Sequence, residues 1–321
     1  MKIKLDKVDK KLISYLYHHY REPLTKIAKA CKISRDQVEY RLKKYEQQGL
    51  IRKYLTIFNY DLLGYREFTV VWLKLKASNE RKIIIKKQLE NMKNVVSVGD
   101  ALANYDLFMN FVFKDKREFE SEFNSFLEKN KQFISDYSVF ITTSIELFPL
   151  KELGISKEEE TYQITNPSKP INLDKKDLSI LKALEKNGRA RIIDIARETG
   201  LSSELIIYKL KQFYKNKIIL GTRILFDMEK LGFYFGLLRI KLRNSNEPLR
   251  KKIREFCRNH KHVNALAFGI ADYSCGIQIF YKKESEFREA IRDITNNFEN
   301  EIEDSQIILI ENEGRVRTLS F

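Results

Sequence analysis

The sequence predicts an α+β protein built twice over: two winged helix-turn-helix modules, each followed by a ferredoxin-like βαββαβ domain, in tandem repeat. Three observations carry that prediction. The chain repeats itself at long range. Each repeat opens with three amphipathic helical segments, and each closes on alternating strand and helix patterns. At 321 residues the chain is also too long for one comfortable core.

The repeat is read directly from the residues. Leu5-Asp6-Lys7-Val8-Asp9 recurs as Leu173-Asp174-Lys175-Lys176-Asp177, an offset of 168. From residue 5 to 64 there are 16 identities in 60 ungapped pairs, among them Leu16 with Leu184, Ile27-Ala28 with Ile195-Ala196, and Leu63-Gly64 with Leu231-Gly232. A period this long means duplicated domains, not a solenoid. The expected boundaries are a winged module over 1–64, a ferredoxin-like domain over 65–150, a linker over 151–172, a second winged module over 173–232 and a second ferredoxin-like domain over 233–321. The linker is assigned on Lys157-Glu158-Glu159-Glu160 and Asn166-Pro167-Ser168-Lys169-Pro170, charged and proline-containing stretches that suit an exposed or partly helical connector.

Within the first copy, Asp6 caps a helix carrying Val8, Leu12, Ile13 and Leu16 at helical spacing. A second helix runs from about Leu24 to Cys31. Ser34-Arg35-Asp36-Gln37 has the form of a capping box and starts a third, whose buried stripe is Val38, Leu42 and Tyr45. The second copy repeats that stripe as Ile206, Leu210 and Phe213. Gly200 suits a left-handed helix end, where the first copy has Lys32. Two helices joined by a tight turn form a helix-turn-helix. The β-prone residues that follow predict a two-stranded wing, with its turn near Arg52-Lys53 or Gly221-Thr222. Strands over 68–75, 95–102, 105–113 and 136–147, with helices over 81–92 and 118–127, give the ferredoxin-like order. Strands over 234–242, 263–268, 273–281 and 304–311, with helices over 247–259 and 284–298, repeat it.

Charge points to a polyanion. The chain carries a formal +15. Residues 1–60 hold 15 Lys and Arg against 6 Asp and Glu, and residues 173–226 hold 12 against 6, so the remainder is neutral. The whole excess sits on the two helix-turn-helix segments, as phosphate contact requires. On the first third helix Gln37, Tyr40 and Lys44 face outward with Arg41 beside them. Arg41 suits guanine, and Gln37 suits adenine unless the capping box occupies it. Lys43, Lys44, Arg52 and Lys53 suit phosphates, with Ser34 and Arg35 at the helix start. The second copy offers Ser202, Ser203, Leu205, Tyr208, Lys209, Gln212 and Arg223. Leu205 fits a thymine methyl or marks a helix that has drifted from base reading, so the first copy is expected to dominate specificity.

Other chemistries find little support. Cys31, Cys257 and Cys275 are far apart and lack the spacing of a disulfide framework or zinc module. The pairs His18-His19 and His260-x-His262 are poorly placed for chelation, so no metal and no cofactor are expected. Gly269-Ile270-Ala271-Asp272 joins two strands and cannot be a dinucleotide fingerprint. With no apolar stretch of membrane-spanning length and no signal-like N-terminus, a cytoplasmic protein without membrane contact is expected.

The pattern resembles the Lrp/AsnC transcription regulators. The resemblance rests on Asp6-x-x-Asp9, Ser34 through Leu42, Gly49-Leu50-Ile51, Leu63-Gly64 and Gly269-Ile270-Ala271-Asp272-Tyr273. It departs at Ala103, where a glycine is expected, and at Lys217, the counterpart of Gly49. It implies a sequence-specific regulator of double-stranded DNA that is not an enzyme. It also implies a small-molecule effector such as an amino acid, with Asp100, Asn104, Asp106, Gly269, Asp272 and Tyr273 as candidate effector positions. Family members pair through their ferredoxin-like sheets, so a tandem chain is expected to form an internal pseudo-dimer, a homo-oligomer, or both. The candidate pairing faces are Val70, Trp72, Phe108, Asn110 and Val112 against Phe235, Leu237, Ile277 and Ile279. Two alternatives remain. Siroheme decarboxylases resemble the same family, but their H-x-Y-N-x-W-type segment is missing and the one tryptophan, Trp72, has no nearby histidine in sequence. A sequence-tolerant architectural DNA protein would also account for the charge.

Overall fold

A computed structural model describes residues 3–151, 161–165 and 169–319. The linker stretches 157–160 and 166–168 lie outside the described residues. The first copy supplies α1 (Lys7–His19), α2 (Leu24–Cys31), α3 (Arg35–Gln47) and β1 (Ile51–Phe58). It continues through β2 (Glu67–Leu75), α4 (Asn79–Asn91), β3 (Val95–Leu102), β4 (Leu107–Phe113), α5 (Lys116–Asn130) and β5 (Ile134–Leu147). After the short β6 (Tyr162–Gln163), the second copy supplies α6 (Lys175–Lys186), α7 (Ile192–Thr199), α8 (Ser203–Lys215) and β7 (Ile219–Phe226). It ends with β8 (Tyr234–Leu242), α9 (Glu247–Asn259), β9 (Val263–Ile270), β10 (Cys275–Tyr281), α10 (Glu284–Asn297) and β11 (Ile302–Val316).

Local chemistry sets the helix ends as expected. Asp6 and Asp174 close capping boxes on α1 and α6, and Ser34 with Gln37 does so on α3. Two of the left-handed turn positions that the copies share are filled oppositely. Lys32 (φ 57°) matches Gly200 (φ 70°), and Gly49 (φ 61°) matches Lys217 (φ 56°). At these two positions each copy keeps one glycine and holds one lysine in a conformation that costs an L-residue about 1 kcal/mol.

The wings differ from expectation. Neither copy folds its own hairpin. Instead β1 and β7 pair with each other, antiparallel, through Tyr54↔Ile224, Leu55↔Arg223 and Thr56↔Thr222. Sequence pattern shows that a strand follows α3 but not which strand it meets. The partner turned out to be the other copy, which fills the edge that a hairpin would have filled.

The ferredoxin-like order is found in both copies, β5-β2-β4-β3 and β11-β8-β10-β9. The last strand of each copy then runs on into the other. β5 pairs β2 up to Ile141 and β9 from there to Leu147. β11 pairs β8 up to Ile310 and β3 from Leu309 to Val316. Eight antiparallel strands therefore close into one barrel, which leaves no free edge among them. β6 adds to the end of β5, and Ile164 after it is buried, so part of the expected linker is docked chain.

Two cores sit outside the barrel, with α4 and α5 covering the first sheet and α9 and α10 the second. Inside the barrel stand Val70, Trp72, Phe108 and Asn110, as expected, with Phe235 and Leu237. Ile277 and Ile279 do not join them. They face α9 and α10, and their neighbours Gly276 and Gln278 point inward, so the expected register on β10 is off by one residue.

The helix-turn-helix cores also cross between copies. Ile224, Phe226, Leu231 and Phe233 of the second copy complete the core of α1–α3, while Ile57, Phe58, Tyr60 and Phe68 of the first complete that of α6–α8. His18 on α1 seals this junction. Its ring Nδ1–H donates to the Thr222 carbonyl at 3.0 Å, Thr222 Oγ1 donates back to the His18 carbonyl, and burial pushes the imidazole pKa down to about 3. Within the first module Asp9 is almost wholly enclosed, held by Arg41 and, at 2.6 Å, by the Tyr45 hydroxyl; Asp6 accepts from the same guanidinium at 2.9 Å. Lys209 repeats the arrangement on Asp174 and Asp177 at 3.0 and 2.6 Å.

Three outcomes follow. Ile224→Ala should cost about 2–5 kcal/mol and speed amide exchange in α1–α3 more than in α6–α8, although Ile224 belongs to the second copy. His18 has a folded pKa of about 3, below its unfolded 6.5, so the unfolded chain binds the extra proton between those values. Stability should therefore fall as pH drops from 6.5 toward 3, by up to about 1.4 kcal/mol per pH unit from this group, and His18→Phe should flatten that part of a urea-midpoint profile. Arg41→Ala leaves the buried Asp9 without its counter-charge and should lower unfolding free energy by about 3 kcal/mol, while Arg35→Ala on the exposed face should stay within about 0.5 kcal/mol.

Candidate nucleic-acid interface

α3 and α8 are the second helices of their helix-turn-helix units, and each presents one open face. On α3 that face carries Arg35, Gln37, Tyr40 and Lys43, with Tyr40 68% exposed. Arg35 reaches toward Asp36 and Glu39, and Lys43 pairs with Glu39 at 3.1 Å, weak exposed contacts that a phosphate would displace readily. Gln37 Oε1 accepts from the Ser34 N–H at 3.0 Å and Ser34 Oγ accepts from the Gln37 N–H at 3.1 Å, so both side chains serve the cap first. Lys44 is half-buried at the helix end.

Several expected contacts lie elsewhere. Arg41 and Lys209 are turned inward onto the aspartates of α1 and α6 and hold helices together instead of facing a groove. Arg52 donates to the Glu313 and Gly314 carbonyls of β11 at 2.6 and 2.9 Å, and Lys53 meets Glu185 at 2.7 Å. Arg223 lies over the Tyr17 ring at 4.9 Å and donates to Asn264 Oδ1 at 3.1 Å. Wing hairpins would have left all three at the surface. Because β1 and β7 pair across the copies, their side chains are spent on the packing beneath.

On α8, Ser202 caps the helix by accepting from the Leu205 N–H at 3.3 Å. Ser203, Leu205 and Gln212 are half-buried, and Tyr208 is exposed. Ile207 and Tyr214 are exposed beside it, so this face is more apolar than that of α3. The two modules are unlike in chemistry although alike in fold.

The candidate effector loops come together at one end of the barrel. Asp100 is paired with Lys86, and Asp106 with Lys82 at 2.6 Å while accepting from the Leu75 N–H, so these carboxylates anchor α4 to the sheet. Asn104 is exposed. Ala103, where the resemblance expects glycine, does adopt a left-handed φ of 80°. A Cβ at Gly269 would come within 2.6 Å of the Ile141 carbonyl and the Phe140 ring, so that glycine is required by close packing. Tyr273 donates to Asp304 at 2.6 Å. What gathers the two loops is a residue that sequence reasoning missed. Arg239 on β8 has Tyr105 and Tyr273, one from each loop, within 6 Å of its guanidinium, at 5.9 and 4.8 Å, and Asp272 is among the charges it feels. The available signal was an arginine inside the apolar strand Tyr234–Leu242.

Comparison with known proteins agrees with this architecture. A winged helix-turn-helix DNA-binding family matches residues 5–52 and again 173–219. The HTH-type transcriptional regulator FL11 of Pyrococcus abyssi is 28% identical over 128 residues, 40% of this chain and 81% of the relative. An uncharacterised HTH-type transcriptional regulator of the same organism is 30% identical over 148 residues, 46% of this chain and 98% of the relative. Among solved structures, the siroheme decarboxylase NirDL shares the fold over 98% of this chain and 94% of its own, with a TM-score of 0.61 at 13% identity. Among the described residues no helix is long and apolar enough to cross a membrane. One relative is thus spanned almost end to end by half of this chain, and the family match falls once in each half: the chain belongs to the winged helix-turn-helix transcriptional regulators, in a tandem form that carries the unit twice.

Proposed function

We propose that the chain is a sequence-specific, DNA-binding transcription regulator of the cytoplasm, not an enzyme, whose internal pair presents two unequal recognition helices and whose DNA binding responds to a small molecule. The observation that carries this reading is the coincidence of charge and geometry. The whole formal excess of +15 lies in the two helix-turn-helix segments, and the α3 face bearing Arg35, Tyr40 and Lys43 is open to solvent. Tyr40 offers a base-stacking or methyl contact, while Lys43 and Arg35 suit phosphates. The α8 face, with Ile207 and Tyr208, is more apolar than that of α3, which supports the first copy as the main source of specificity.

A second reading is favoured by one observation, the fold shared with the siroheme decarboxylase NirDL along almost the whole chain. Against it, no histidine among the described residues lines the barrel interior. Mixing with siroheme separates the two readings: a Soret band from bound macrocycle, with loss of carboxylate groups from it, would replace the regulator by the enzyme.

Selection of bound sequences from random DNA should enrich a defined motif whose half-sites lie about 34–36 Å apart or a multiple of that, related by approximate twofold symmetry. Tyr40→Ala should change the enriched motif. Lys43→Ala should weaken binding on all sequences alike and reduce the slope of log affinity against log salt by about 1. No enrichment over bulk DNA would leave the sequence-tolerant architectural role instead.

A further inference from the structure

The barrel is hollow. Its interior holds a cavity of about 290 Å³, just under the roughly 300–1,000 Å³ typical of small-molecule sites. The two copies contribute unequally to its wall. Trp72 is the sixth residue of β2 and Arg239 the sixth of β8, so tryptophan and arginine occupy equivalent places and stack on each other at 4.3 Å. Phe108 is second in β4 and Gly276 second in β10. Where the first copy fills the barrel with a ring, the second leaves space. A Cβ at Gly276 would meet only Leu237 Cδ1, at an ordinary 3.5 Å, so neither backbone strain nor crowding demands glycine there.

Into this apolar interior the chain places a guanidinium that no carboxylate touches, Asp272 acting on it only from a distance. Arg239 is 2% exposed. It donates to Gln306 Oε1 at 3.0 Å, to Ser138 Oγ at 2.8 Å and, at 3.4 Å, to the Tyr105 hydroxyl, all neutral acceptors. Its Nε–H has no acceptor, and among the described residues no carboxylate pairs with it. A buried guanidinium held this way is expensive, and a carboxylate is the partner that its fork of N–H groups fits. Arg223, Arg317 and Glu313 also line the wall. Glu313 already has Arg223 and Arg52 for counter-charges, so the interior keeps a positive excess and no free carboxylate for an ammonium group.

We infer that the barrel cavity binds a small apolar monocarboxylate, its carboxylate on Arg239 and its hydrocarbon or ring against Trp72 and Phe108 in the space over Gly276. This deepens the reading of a small-molecule modulator by giving it a site and a chemical class, and the binding claim stands apart from any effect on DNA.

Trp72 is the only tryptophan and reports on the cavity directly. The full-length protein is titrated with 3-phenylpropionate and octanoate, with 3-phenylpropionamide as the uncharged control, following Trp72 emission and the thermal midpoint. The carboxylates should give saturable emission changes and raise the midpoint, and the amide should bind about ten-fold more weakly or worse. Gly276→Leu should fill the cavity and abolish the response while melting as cooperatively as the parent. Arg239→Gln should erase the preference for acid over amide. No saturable response in the parent, equal binding of acid and amide, or an unaltered response in Gly276→Leu would each overturn the site. Gel-shift titrations keep the two readings distinct. A carboxylate that binds yet leaves DNA affinity unchanged upholds the site and removes modulation; DNA affinity that responds to carboxylate equally in Gly276→Leu overturns the site.

Discussion

Strand pairing between the two copies is the constraint on which everything else rests. β1 meets β7 beneath the helix-turn-helix units, and the long strands β5 and β11 each leave their own sheet to join the other. These pairings close the barrel, bring core residues of one copy into the helical module of the other, and fix where α3 and α8 face. A winged module of about 60 residues is marginal by itself because it buries too little apolar surface. Here each borrows from the opposite half, through Ile224 and Phe226 in one direction and Ile57 and Phe58 in the other. The repeat in the sequence is therefore not a repeat of independent folding units.

Much of this was legible in the residues, and the misses share one cause. Helix ends, capping boxes, left-handed turns and the ferredoxin-like order follow from local chemistry, so Asp6, Ser34, Gly200 and the strand order were readable. The partner of a strand is not a local property. The hairpin expected at Arg52-Lys53 became a strand shared between copies, and with it Arg52, Lys53 and Arg223 moved from the surface into packing. Arg41 was misread for a related reason. A helical wheel shows that it lies beside the outward face, but not that Asp9 waits a helix away. On β10 every second residue is Cys275, Ile277 and Ile279 or Gly276 and Gln278, and hydrophobicity favoured the wrong set because the barrel interior keeps small and polar residues there.

Divergence between the copies is uneven. Positions that set backbone geometry exchange roles symmetrically, as Lys32 with Gly200 and Gly49 with Lys217 show, and the inward ion pairs persist as Arg41 and Lys209. The barrel interior and the open helix faces changed much more. Trp72 stands against Arg239, Phe108 against Gly276, and the polar face of α3 against the more apolar face of α8. Two identical subunits cannot place a ring on one side of a shared space and a charge on the other, because symmetry repeats every substitution. Joining the copies in one chain removes that restriction.

The reach of β11 also has a temporal consequence. This strand is made after every other strand of the barrel, and it supplies the edge partner of β3, a strand made some two hundred residues earlier. Until it arrives, the first sheet carries an unpaired rim at β3, and until β9 is made the far end of β5 has no strand to run along. A half-made chain is thus a sticky object, able to pair with another nascent copy of itself as readily as with its own missing half. Contacts so distant in sequence close slowly. Synthesis that outpaces this closure in neighbouring ribosomes on one message would favour strand exchange between chains, and a slower or more widely spaced translation would favour closure within one chain.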